Sequence, residues 1–208
     1  MPDSADLRAA WSRLAGTGGA AVAAGDDLLN RWAEPHRSYH NRAHLAAVLS
    51  HLDRLGPAAV TVRLGAWYHD AVYQPGRADN EERSAELARE GLRAIGVEPG
   101  AVLEVVRLVH LTAAHRAEPA DTDGAMLCDA DLAVLGSAPA GYESYRRAVR
   151  AEYAAVDDGA WRAGRSRVLE EFLDRDRIFA TQTGHRLWEQ AAQANLSREL
   201  RDLRGMGC

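Results

Sequence analysis

Lysine is absent from this chain: all 25 basic residues are arginine, set against 30 acidic ones, for a formal net charge of −5. Every cation therefore stays charged and can fork onto a carboxylate or a phosphate. No basic block is long enough to track a nucleic-acid backbone, so nucleic acid is not expected as a partner. Cysteine is nearly absent as well. Cys128 and Cys208 cannot build a disulfide framework and lack the paired spacing of a zinc site. Neither reads as a nucleophile. No apolar run approaches the length that spans a bilayer, and the opening "MPDSADL" has no apolar leader core. The expectation is a soluble, cytoplasmic protein without a membrane partner. Strand patterning is missing too.

What is present is helical periodicity cut by proline. Prolines 35, 57, 75, 99, 119 and 139 divide the first two thirds into pieces of helix length. The pattern predicts helices over roughly 5–15, 19–33, 41–55, 58–72, 80–95, 99–112, 122–135, 140–155, 158–174 and 181–203. "DNEERSAELAREGL" offers Asp79 or Asn80 as an N-cap, with Glu81 and Glu82 in the acidic first turn. The fold class is all-α, in one domain over 1–208 with its core at about 28–202.

Three strings carry chemistry. In "RSYHNRAHLAAVLSHL", Leu45, Val48, Leu49 and Leu52 define a buried stripe, and His44, four residues before Val48, belongs to it. A buried imidazole needs partners for both ring nitrogens, which a metal on one side and a carbonyl or carboxylate on the other supply. "LGAWYHDAVYQPG" sets His69 beside Asp70 at the end of an apolar helix. Neighbouring helix positions diverge by about 100°, so that pair needs further ligands from elsewhere. "MLCDADLAVLG" surrounds Asp131 with Leu127, Cys128, Val134 and Leu135, where an unpaired carboxylate calls for a cation. Asp129 has apolar neighbours too and stays open as its rival. His44, His69, Asp70 and Asp131 make an N2O2 set that suits Mn, Fe, Zn, Co or Ni, or Mg with waters.

The order "YHNRAH", "WYHDAVY", "DADLAVLG" resembles the HD phosphohydrolase superfamily, and within it a branch of metal-dependent hydrolases. "YESYRRAVRAEY", "GRSRVLEEFL" and "ANLSREL" extend the resemblance from about residue 28 to about 202. It implies a helical bundle whose first divalent metal is held by His44, His69, Asp70 and Asp131, with Asp70 able to bridge to a second. The YHNxxH string also resembles that of cyclic nucleotide phosphodiesterases, which implies His40 as general acid one turn before the ligand His44. Asp70 would help to orient the attacking water. His115 and His110, in "LVHLTAAHRAE", are the candidates for a second metal site. His36, His51 and His185 read as surface or outer residues.

Arg146, Arg147, Arg150 and Arg165 could fork onto a phosphate, or pair with Glu152 or Glu170 on a solvated face. Gln74 stands where an acid is expected in close relatives. The function implied is hydrolysis of a small phosphate ester or nucleotide by metal-activated water, in a monomer or homodimer. Two alternatives stand beside it: a diiron oxygenase, which needs more histidine ligands, and a non-catalytic module that binds a nucleotide.

Overall fold

Prolines and side-chain caps set where the helices begin. Pro99 and Pro139 occupy first-turn positions, while Asn41, Asp121, Asp157 and Thr181 each accept a backbone N–H of the turn that follows. A computed structural model describes residues 4–205. These form α1 (Ser4–Ala15), α2 (Gly19–Arg31), α3 (Arg42–Leu55), α4 (Val60–Tyr68), α5 (Asn80–Ala94), α6 (Pro99–Leu111), α7 (Thr122–Leu132), α8 (Pro139–Glu152), α9 (Asp158–Leu173) and α10 (Gln182–Leu203), with a 3-10 turn at Ala133–Gly136. No strand occurs among the described residues, as the all-α reading requires. None of these helices is long and apolar enough to cross a membrane. Cys208 lies outside the described residues, and Cys128 is buried, with its thiol pushed up to about 12.

Two of the expectations need correcting. The fourth helix was predicted to reach residue 72 but stops at Tyr68, because the next backbone groups find partners elsewhere. The Arg37 guanidinium donates to the carbonyls of Asp70 and Ala71, and the Ser84 hydroxyl meets both the N–H and the carbonyl of Val72. His40 precedes the N-cap Asn41 of α3, in keeping with a helix that starts near residue 41. At the start of α5, Asp79 takes the N-cap position but its side chain pairs with Arg77 instead of capping.

The apolar residues gather in connected clusters. Trp11, Trp32, Trp67 and Tyr68 anchor the one shared by α1, α2, α4, α5 and α6. Tyr142, Leu169, Phe179 and Trp188 anchor the one built on α8, α9 and α10. Between them Val48 and Leu52 of α3, Ala66 of α4 and Leu127 of α7 are fully buried. Each large side chain in that layer contributes about 1.5–3 kcal/mol. Gly65 lets α4 approach α7 closely: a Cβ there would sit 3.1 Å from Leu127 Cδ2. That approach brings the C-terminal end of α4 against the end of α7, and α3 closes the third side.

Candidate metal centre

His44 projects from the first turn of α3, held by the buried stripe beneath it and by the Asn41 cap, whose side chain accepts from Ala43 N–H at 2.9 Å. His69 follows the last residue of α4. Its Nδ1 lies 2.9 Å from the carbonyl of Ala66, and a carbonyl only accepts, so Nδ1 carries a proton and Nε2 is the nitrogen turned toward Asp70 and Asp131. Trp32 backs this ring at 5.4 Å and donates its own N–H to Trp67 O. Asp131 comes from the last turn of α7.

Their ligand atoms converge. His44 Nε2 is 3.2 Å from His69 Nε2 and 3.0 Å from Asp131 Oδ1, while His69 Nε2 is 3.6 Å from the same oxygen. His44, His69 and Asp131 thus form a group able to hold one ion. Asp70 Oδ2 stands 3.2 Å from His69 Nε2 and 3.8 Å from His44 Nε2. Bonds of about 2.1 Å to a common ion give ligand–ligand edges of about 3.0–3.4 Å, so the spacing suits a divalent metal. The charges fit as well. Two partly buried carboxylates face imidazole nitrogens so close that two N–H groups cannot oppose each other there, and a cation between them resolves both conflicts.

Protonation follows the same electrostatics. Burial alone would lower His69, yet the Asp70 and Asp131 carboxylates carry it well above the ordinary imidazole range. Burial would raise Asp131, but His69, His115 and His44 hold it well below the carboxylate range. Asp70 is lowered in the same way against its burial, mainly by His69 and His40. Burial dominates for His44 and lowers it.

His115 joins the cluster: its Nε2 is 2.7 Å from Asp131 Oδ2. It sits in a turn after α6 with φ of +47°, a left-handed conformation uncommon for a non-glycine residue. Arg175 holds that turn by donating to the carbonyls of Ala114 and His115 at 2.9 and 2.8 Å. His110 stands apart, on the exposed side of α6 with Glu82 at 3.6 Å. Asp129 also points elsewhere. Its carboxylate accepts from Ala180 N, Thr181 N and Thr181 Oγ1 at 2.7–2.8 Å, fixing the start of α10.

His40 meets a partner that sequence reasoning had placed on a solvated face. Glu152, from the last turn of α8, lies 2.6 Å from His40 Nδ1 with its Oε2. The same carboxylate accepts from the N–H groups of Tyr39 and His40 and from the Tyr73 hydroxyl. Burial opposes charge on His40, but Asp70 and Glu152 raise its pKa. Burial likewise opposes charge on Glu152, which its bond to His40 lowers. Arg37, buried beneath, donates to the carbonyls of His40 and Asp70 at 3.0 and 2.7 Å and so ties the two loops together.

The remaining expectations resolve into structure. Arg165 is buried and forks onto Glu199, not Glu152 or Glu170, at 2.9 and 3.1 Å. Arg146 meets Glu143 and Asp202, Arg150 meets Asp158, and Arg147 is exposed. His51 links α3 to α7 through Ala130 O, His36 meets Tyr73 O, and His185 lies near Glu189. Gln74 uses its backbone, paired with the Asn80 amide. Glu81 lines the cavity described next, while Glu82 stays outside it.

That cavity, of about 780 Å³, is lined by Asp70, Asp131, His40 and His115. Tyr153, Trp161, Val168 and Phe172 line it as well, with the Phe172 ring 6.5 Å from that of His115. The arrangement offers a cation site, a carboxylate-held imidazole beside it, and apolar side chains on the same cavity. Comparison with family models, with curated proteins and with solved structures finds no match for the chain.

Proposed function

We propose that this chain is a metal-dependent phosphohydrolase of the HD type, acting on a small organic phosphate ester. The observation that carries the reading is the convergence of His44, His69 and Asp131, with Asp70 alongside and the His40–Glu152 pair next to them, His40, Asp70 and Asp131 lining one cavity. A divalent cation supplies charge for a phosphoryl oxygen and brings the pKa of water toward neutrality. His44, His69 and Asp131 would hold it, with Asp70 as the fourth side chain in reach.

The chain's own residues do the rest. Glu152 binds His40 Nδ1, which leaves Nε2 as the atom that keeps a proton for the leaving alkoxide. The raised pKa of His40 favours the state that carries that proton. Arg37 fixes the loop carrying His40 against the loop carrying Asp70, so acid and cation site keep one spacing. Tyr153, Trp161 and Val168 present an apolar face to the organic part of the ester.

The diiron oxygenase fits less well, because His115 reaches the cluster only through Asp131 Oδ2 and His110 stands away from it. Elemental analysis of protein purified without chelator, paired with a phosphate-release screen over nucleotides and sugar phosphates, tests the proposal. Metal at one or two per chain together with phosphate release supports it. Two irons per chain with oxygen uptake and no phosphate release overturns it.

A further inference from the structure

Helix α8 presents more than Glu152 to the cluster. Val149 and Tyr145 precede that glutamate by one turn and two turns on the same face, and both line the cavity that His40, Asp70 and Asp131 share. Tyr145 also lines a second cavity, of about 640 Å³, with His44 and Asp131 on its wall. Both spaces that touch Asp131 therefore touch Tyr145. The Tyr39 ring stands 4.8 Å from that of Tyr145 and 4.8 Å from that of His44, so one ring separates Tyr145 from the proposed ligand.

The Tyr145 hydroxyl is held from behind. Arg165, from α9, gives Nε and Nη2 to the two carboxylate oxygens of Glu199 on α10 at 2.9 and 3.1 Å, and Nη1 to the Tyr145 hydroxyl at 3.2 Å. The Tyr142 hydroxyl donates to the same carboxylate. Arg165 and Glu199 are both buried, and burying an ion pair is costly enough in desolvation that apolar side chains could fill the space as well. What the fork adds is direction: it fixes the guanidinium, and the guanidinium fixes the tyrosine oxygen in front of it. An arginine N–H only donates, so the hydroxyl meets it as an acceptor and keeps its own proton to give. Among the described residues no acceptor takes that proton. Donation from a cation to its oxygen also makes the hydroxyl a stronger donor.

We propose that Tyr145 is a further catalytic residue, whose hydroxyl donates to a phosphoryl oxygen of the ester bound at the cluster. This rests on the phosphohydrolase reading above. The role differs from that of His40. His40 gives its proton to the leaving oxygen, whereas Tyr145 keeps its proton and stabilises charge on an oxygen that stays on phosphorus.

The test uses full-length protein loaded with Mn²⁺, with inorganic phosphate as the probe of binding and phenyl and nitrophenyl phosphate as the esters. Tyr145 is half-buried and Arg165 retains its fork to Glu199, so Tyr145→Phe removes the hydroxyl and keeps the fold. The variant should bind Mn²⁺ as the wild type does, bind inorganic phosphate about tenfold more weakly by calorimetry, and lose about 10–100-fold in kcat/KM. The loss should be the same on both esters, because they share the phosphoryl group and differ in the leaving oxygen. Phosphate affinity within about twofold of wild type overturns the assignment, as does a loss that shrinks on nitrophenyl phosphate or one accompanied by loss of Mn²⁺. Mn²⁺-loaded protein that binds phosphate through Tyr145 but hydrolyses no ester keeps the contact and removes the phosphohydrolase. Wild-type protein that binds neither Mn²⁺ nor phosphate removes both.

Discussion

Asp129 and Asp131 stand two positions apart on α7 with opposite fates, and replacing Asp129 by alanine separates them. The Asp129 carboxylate accepts three hydrogen bonds at the start of α10. Bonds to a charged group are worth about 1.5–3 kcal/mol each, so about 4.5–9 kcal/mol is the upper limit for their loss. Burial offsets part of this, having raised the Asp129 pKa despite those bonds. Water entering the vacated space and rotation of the Thr181 hydroxyl offset more, so about 3–4 kcal/mol should remain. A Cβ at Gly184 would overlap Asp129 Oδ2 and approach Thr181 Oγ1 at 2.9 Å. Gly184→Ala alone should therefore cost about 1–3 kcal/mol. In the Asp129→Ala background the first overlap is gone, and the cost should fall by about 1–2 kcal/mol through coupling. Urea unfolding in chelator measures all three variants without metal. Folded Asp129→Ala of wild-type stability that has lost its metal would refute the reasoning and make Asp129 the ligand.

Four further outcomes are expected. His40→Ala should keep metal and cut turnover by about 10²–10⁴, with a smaller loss for a nitrophenyl ester whose leaving group departs unprotonated. Glu152→Gln should cost about 10–100-fold in the same pattern at little change in KM, and equal losses on both esters contradict the acid role. His115→Ala should weaken metal binding by about 10–100-fold without changing stoichiometry, because His115 orients Asp131; metal content halved from two to one would make it a ligand of a second ion. Glu199 is held below the ordinary carboxyl range against its burial by the Arg165 fork and the Tyr142 hydroxyl. Its contribution is thus present above the unfolded pKa and lost as pH falls through the folded one. Unfolding free energy should drop between about pH 5 and 3, less steeply in Glu199→Gln, and an equal slope in both removes that assignment.

The helices were legible because prolines and caps mark their starts and apolar residues repeat at helical spacing. The end of α4 was not, since it depends on Arg37 and Ser84 reaching in from other segments. His44 could be read from its stripe alone. Asp131 could not be told from Asp129, because both have apolar neighbours on α7 and only the start of α10 claims one of them. Glu152 is 112 residues from His40, and a glutamate late in an amphipathic helix carries no local sign that it will be buried. His115 lies in a turn with positive φ, beyond the reach of any periodicity.

The central claim is that His44, His69 and Asp131 hold a divalent ion on which phosphate release depends. Mn²⁺ titrated into chelator-stripped protein, with calorimetric binding and phosphate release followed on the same samples, tests it most directly. The expected result is one concentration scale for both, with binding and release lost together in Asp131→Ala. Phosphate release that survives chelation, or tight Mn²⁺ binding undiminished in Asp131→Ala, would contradict it.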